Sequence, residues 1–221
     1  MGQALGSLLP IGVAAALSSV PIMATILILL SDQRNKSALP FLVGTVLGAI
    51  ILVAVGTIAA NAIPQPRPRK ADTTAGILEI LLGAALIGYS LRSMFRESAP
   101  VGDSATKWAE AVGSLGAAKS FGLGLALNLR PKCLILSAAA SLALRSAKLN
   151  VEETAVLVVI YSAIATSTVT VPIMATLASP DRMEPRLITA RDWLNEHGHV
   201  VTATVMLLVG AIIVGSGVGK L

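Results

Sequence analysis

Six transmembrane helices in one all-α integral membrane domain are what the sequence predicts, and three observations carry the prediction. Charged residues make up 13% of the 221 and hydrophobic ones 54%, whereas a soluble domain carries roughly a quarter charged. The apolar residues fall in blocks of roughly twenty, enough to cross a hydrocarbon core about 30 Å thick at about 1.5 Å per residue. Most of the basic residues lie between the blocks. Backbone groups in lipid must bond to one another, so each block becomes a helix, and the 19 glycines suit close helix approach.

The net charge of +5 and the pI near 9.7 would also suit a nucleic-acid binder. Here, however, the charge punctuates apolar blocks, where it orients a protein in a bilayer, so no nucleic-acid partner is expected. Cys133 is the single cysteine, which excludes an intrachain disulfide and a two-cysteine redox relay. Met1–Ser7 lacks the basic start of a signal peptide, and the apolar run after it is too long for one. The first span is therefore expected to be retained.

The spans read, in order, as Leu8–Leu30, Ala38–Ile63, Gly76–Met94, Phe121–Leu144, Thr154–Ala178 and Val200–Val218. Ser31–Ser37 is a short polar loop that makes the first two spans antiparallel neighbours. Pro64, Pro66 and Pro68 keep the second loop out of helix. The longest connection, Phe95–Ser120, has room for a short interfacial helix at Lys107–Val112 with Trp108 at headgroup level. A second interfacial helix is expected at Leu187–His197, where Trp193 and Leu194 alternate with Arg191, Asp192 and Glu196. Gly44 and Gly48 form a GxxxG pair with Gly56 two turns on, which reads as a packing seam.

Loops after the first, third and fifth spans, counted with Arg92 at the end of the third, carry 9 Lys and Arg against 6 on the opposite side. That excess predicts both termini outside, with the longest loop in the cytoplasm. The chain also looks duplicated as residues 1–110 and 111–221. Gly12, Ala16, Leu17 and Pro21 fall on Gly122, Ala126, Leu127 and Pro131, and Leu81–Gly88 resembles Leu208–Gly215. Three helices per half is an odd number, so the halves would be inverted, as in many transporters. The pentapeptide Pro21–Thr25 recurs at Pro172–Thr176, outside that register.

The strongest local anomaly is Asn128-Leu129-Arg130-Pro131-Lys132, about 12–18 Å into an apolar span. A charge at that depth costs at least about 2.5–3.5 kcal/mol, and escape by snorkelling works only near helix ends. Pro131 frees the carbonyl four residues earlier, which is tolerated where it faces protein or a wet cavity. Arg130 and Lys132 are thus expected to face an internal hydrated cavity and to attract an anionic or zwitterionic group. Pro21 reaches a similar depth, with Ser18 and Ser19 before it, and Pro172 follows the hydroxyl run Thr166–Thr170; these prolines are the predicted helix breaks. Serines and threonines in membrane helices also bond their own backbone, so Ser18 and Ser19 read equally as substrate contacts or as packing. Glu79, about 5 Å inside the third span, pairs with Arg130 or Lys132, carries a coupling proton or reaches the headgroups. His197 and His199 have no carboxylates at metal-ligand spacing, so no metal is expected. The chain carries no nucleophile elbow, zinc-protease helix, phosphate loop or dinucleotide fingerprint; neither an enzymatic activity nor a cofactor is expected.

These motifs resemble the lysine-exporter superfamily and, within it, the actinobacterial glycopeptidolipid-addressing and sulfolipid-addressing group. The resemblance rests on Ala16–Arg34, on Phe41–Gly44, on Phe121–Asn128 leading into Pro131-Lys132, and on Ala190–Leu194 before the last span. Leu129 and Arg130 separate Asn128 from Pro131, so the tight Asn-Pro-Lys of amino-acid exporters is not reproduced and amino-acid specificity does not carry over. The resemblance implies a multi-pass protein of the bacterial inner membrane that moves a cell-envelope glycolipid or a small solute outward. Membrane lipids, the transported molecule and either a homodimer partner or an envelope-export complex are the expected partners. The competing reading is a non-transporting subunit of such a complex.

Overall fold

The computed structural model describes residues 2–62, 111–147 and 149–218, with seven further positions between 80 and 91. Outside the described residues lie Glu79, the loop Pro64–Lys70, Trp108 and most of the third expected span. The described part is all helical: α1 (Gly2–Ala16), α2 (Ser19–Leu29), α3 (Arg34–Ala62), α4 (Ala117–Asn128), α5 (Pro131–Ser146), α6 (Val151–Ala165), α7 (Ser167–Ala178) and α8 (Pro180–Val218).

Among the described residues, α3 is the one helix long and apolar enough to cross a membrane unaided. Three more candidate spans are pairs bent at a short break: α1 with α2 by 53°, α4 with α5 by 62°, and α6 with α7 by 67°. Counting each pair as one span gives up to four. The molecule is thus a membrane protein whose first, fourth and fifth expected spans are broken helices rather than straight ones. The sixth expected span is the C-terminal part of α8.

Two compact units divide the chain, one of Met1–Ile63 with Val101–Asn195, the other of Pro64–Pro100 with Glu196–Leu221. In the second unit the Ser90 hydroxyl donates to the Ala203 carbonyl, joining the third and last apolar blocks. The first unit holds two apolar clusters. One gathers Ile28 and Leu29 of α2, Phe41 of α3 and Ile173 of α7. The other gathers Leu8 of α1, Val53 of α3, Leu144 of α5 and Leu157 of α6. Every broken span therefore contributes one half to each end, except that α4 meets the first cluster through Leu127 at its own C-terminal end.

Local chemistry sets the helix boundaries. Asn150 caps α6 in a reciprocal box: its side chain accepts from the Glu153 N–H at 2.8 Å, and the Glu153 carboxylate accepts from the Asn150 N–H at 3.3 Å. Pro131 opens α5 at a position where its missing N–H costs nothing. Thr45 and Thr57, both buried, return their hydroxyls to the carbonyls of Phe41 and Val53 four residues back, each at 2.8 Å, so α3 carries them through the bilayer without unpaired donors. On one face of the unit, Ser37 donates to the Leu115 carbonyl and Arg34 sits 3.5 Å from Glu184. That ion pair is partly exposed and worth under about 1 kcal/mol. It nevertheless puts the loops after the first and fifth expected spans on the same side, as alternating topology requires.

Candidate functional site: the junction of three broken helices

The breaks in the three bent pairs meet, and the sequence around each explains why it opens there. Pro21 is the third residue of α2. It has no N–H to offer the Leu17 carbonyl four residues earlier, and its ring would clash with that carbonyl in a continuous helix. The chain instead turns at Ser18, extended at φ −105° and ψ 114°, with the Ser18 N–H on the Ala16 carbonyl at 2.8 Å. Ala16 and Leu17 are left at the C-terminal end of α1 with carbonyl capacity to spare. In α4–α5 the break falls at Leu129 and Arg130, directly before Pro131, with Arg130 extended at φ −67° and ψ 145°.

Side chains from the other two breaks satisfy the first. The Lys132 ammonium donates to the Leu17 carbonyl at 3.2 Å. The Thr168 hydroxyl donates to the Ala16 carbonyl at 2.8 Å. Two hydrogen bonds thus tie the fourth and fifth expected spans to the C-terminal end of α1. Beside them lies a small, partly enclosed cavity of about 40 Å³, lined among others by Asn128, Cys133, Ser137, Tyr161 and Thr166. Ser137 and Tyr161 both stand at its wall. A space of this size holds one or two waters at most, so the junction leaves little room around its few polar side chains.

Asn128, the last residue of α4, does something different from what its motif suggested. Its Nδ2 donates to the Thr45 carbonyl of α3 at 3.1 Å and to the Gly124 carbonyl of its own helix at 2.9 Å. Gly48 makes the approach feasible: a Cβ there would lie 2.6 Å from Asn128 Nδ2. The seam expected at Gly44, Gly48 and Gly56 is present. A Cβ on Gly44 would overlap the Phe121 carbonyl, and one on Gly56 would lie 2.5 Å from the Ser141 hydroxyl. The partner helix adds Gly124, whose Cβ would stand 2.5 Å from the Phe41 carbonyl.

The expected site residues separate accordingly. Asn128 lines the cavity, whereas Lys132 reaches the junction through the Leu17 carbonyl and, like the buried Ser18 at the turn, does not line it. Ser19 opens α2 and does not line the cavity. Both Arg130 and Lys132 were expected to face one cavity; neither lines it, and Arg130 is exposed while Lys132 turns inward to the Leu17 carbonyl. The reason is backbone direction, since Arg130 lies in the extended break while Lys132 is already in the first turn of α5. Pro21 and Pro131 sit at breaks, whereas Pro172 lies inside α7, six residues after the break at Thr166. The recurrent pentapeptide finds a structural counterpart here. Thr25 and Thr176 each return a hydroxyl to the proline carbonyl four residues back at 2.7 Å, in the half-helices α2 and α7, which pack on each other. Thr45, Ser137 and Tyr161 went unnoticed in the sequence. The signal for Tyr161 was available: a phenol in mid-span, one of only 2 tyrosines in the chain.

A family model described as Sap, sulfolipid-1-addressing protein, matches residues 8–219, nearly the whole chain. No curated protein and no solved structure matches it. The chain belongs to the sulfolipid-1-addressing family, the group that its motifs resemble.

Proposed function

From membership in that family we propose that the protein is an exporter of the bacterial inner membrane that moves an anionic envelope glycolipid, or a small solute with the same acidic headgroup chemistry, outward. The family description points to a sulfated lipid. The observation that carries the reading is the junction itself: three broken helices around a small cavity with polar side chains in its wall, and the Lys132 ammonium beside it on a carbonyl freed by Pro21. Broken helices meeting at mid-membrane are how many transporters build a site that opens alternately to either side. A cavity of about 40 Å³ holds no sulfate-bearing headgroup, so the described conformation is the shut one. The substrate acid enters when the halves hinge apart, and it pairs with Lys132.

Inverted repeats fit the same picture. Residues 1–110 and 111–221 each supply the first and second expected spans to one compact unit and the third to the other. The second expected span packs on the fourth and the fifth on the first, the exchange that an in-plane two-fold axis produces. The basic count places both termini outside. Cysteines introduced in the tail and in the Phe95–Ser120 loop, probed with an impermeant thiol reagent on intact cells, test this. Tail labelling is expected, and labelling of the long loop sinks the orientation.

Export is tested by mass spectrometry of lipid extracts from inner-membrane and surface fractions, in cells with and without the chain. An anionic glycolipid class should move to the surface only when the chain is present. If no class redistributes, the second reading gains: an accessory subunit. One observation favours that reading. Leu39, Val43, Leu47, Ile51, Val55 and Ile58 make an exposed stripe along α3, which suits a partner helix as well as lipid. Photo-crosslinking from Ile51 and Val55 to a second protein, with export lost on polar substitution, would mark the accessory role.

A further inference from the structure

The groups that cap the freed carbonyls at the end of α1 differ in one respect: Thr168 is neutral and Lys132 is ionisable. The Leu17 carbonyl has no backbone donor, because the residue four places on is Pro21. It also lies at the C-terminal, partially negative end of α1. In transporters, unwound carbonyls and half-helix C-terminal ends of this kind are where the coupling cation binds. Here that position holds an ammonium, 3.2 Å from Leu17 O, with a hydroxyl on the adjoining Ala16 carbonyl at 2.8 Å. A separate inorganic cation would meet a like charge within a few ångströms, a repulsion of about 4 kcal/mol at 4 Å in a protein-like dielectric. None of the described carboxylates is buried or lines the cavity to offset it.

The charged and titratable surroundings of Lys132 are few. On its own element they are Cys133 beside it and Arg145 in the last turn, with Arg130 in the break just before. Helix α1 carries no titratable group, α3 carries Arg34 and Lys36 only at its start, and α4 carries Lys119 only in its first turn. From α6 the cavity receives Tyr161. Among these an amine can give up its proton when it is desolvated, whereas a guanidinium cannot.

We infer that Lys132 is the coupling-ion site of this protein, its ammonium standing in the carbonyl site where other transporters hold a metal cation, so that transport is driven by protons and is indifferent to sodium. The inference rests on the exporter reading and deepens it. Protonated, Lys132 fastens the fourth expected span to Leu17 and keeps the hinge of the first one shut. When the N–H bond breaks, the proton passes to water admitted to the cavity and the electron pair stays on the amine. The neutral amine holds the carbonyl weakly, and α1 and α2 are free to swing.

Cys133 makes the test independent of any substrate, because it is the single thiol of the chain and lines the cavity. The full-length protein in liposomes is treated with methyl methanethiosulfonate from about pH 7 to about pH 10, in sodium, potassium or choline buffer. Thiolate formation accelerates every variant with pH, so the quantity to read is the ratio of the wild-type rate to that of Lys132→Arg, whose charge is permanent. The ratio should rise at least fivefold across the range, and replacing potassium by sodium should change the wild-type rate by less than twofold. Lys132→Met should label faster than wild type at the neutral end. A flat ratio overturns the inference, as does slowing by sodium alone, whether or not the methionine variant folds. Loss of export by Lys132→Met together with a flat ratio would leave the exporter reading standing and remove only the proton.

Discussion

Along the α3–α4 seam, backbone meets backbone. Gly44 faces the Phe121 carbonyl, Gly124 faces the Phe41 carbonyl, and Asn128 threads the gap at Gly48 to bond the Thr45 carbonyl. At the junction of the three breaks the carbonyls of Ala16 and Leu17 are reached from the other two spans by the tips of Thr168 and Lys132, with a small cavity beside them. Both regions solve the same problem, exposed backbone in an apolar interior. The seam solves it by excluding space, so it cannot slide without overlap. The junction solves it with two side-chain hydrogen bonds, which can break and reform. Rigidity and hinging are thereby assigned to different parts of one bundle, and Asn128, which lines the cavity and staples the seam, is where they join.

The comparison breaks most readily at Gly124. Gly124→Val forces branched carbon into the Phe41 carbonyl and the Thr45 amide on both sides, and overpacking of this kind costs about 3 kcal/mol. Thermal unfolding in detergent should show a large drop or no folded protein. A stable Gly124→Val would mean that the seam is not the rigid element.

Lys132→Met should divide function from stability. It leaves the Leu17 carbonyl uncapped at about 1–3 kcal/mol while removing a charge whose insertion costs about 2.5–3.5 kcal/mol. The net stability change is therefore within about 1–2 kcal/mol, while surface delivery of the lipid falls at least tenfold at matched expression. Wild-type delivery would remove Lys132 from the mechanism.

Thr168→Val removes one hydrogen bond across the junction and nothing else of similar shape. In a membrane protein that is worth about 0.6 kcal/mol. It should make the junction easier to open, so faster Cys133 labelling at constant pH is the readout; unchanged labelling would mean that the Ala16 carbonyl does not restrain the hinge.

The smallest effect is expected at Thr25 and Thr176. Each bonds only within its own helix, so Thr25→Val and Thr176→Val should shift stability by less than about 0.5 kcal/mol and leave labelling alone. Comparable losses at these sites and at Thr168 would erase the distinction between local and junction-spanning bonds.

Much of the seam was legible beforehand, because glycine at four-residue spacing on an apolar helix has one main structural use, close approach. The second half of the seam was less so: Gly124 stands where Gly and Ala alternate with Leu, and only a partner helix singles it out. The prolines announced carbonyls without donors at Leu17 and near Asn128, and two of the three breaks fall beside them. The third break does not follow from Pro172, which the chain absorbs inside α7 while bending at Thr166. A threonine that returns its hydroxyl to Ser162 at 2.8 Å gives little warning of a 67° bend.

By itself the sequence determined the class of the molecule and the places where helix had to fail, since apolar length, glycine spacing and missing N–H groups are local properties. It also marked Lys132 as a charge too deep to be idle. Only the tertiary structure decided which charge faces inward: Arg130 and Lys132 are two residues apart, yet a change from extended to helical backbone sends one out and keeps the other in. Only the tertiary structure, too, could name their partners, because the carbonyls that receive Lys132 and Thr168 lie 115 and 152 residues away. A freed carbonyl is written in the chain by its proline; the donor that finds it is a matter of which helices the bundle brings alongside.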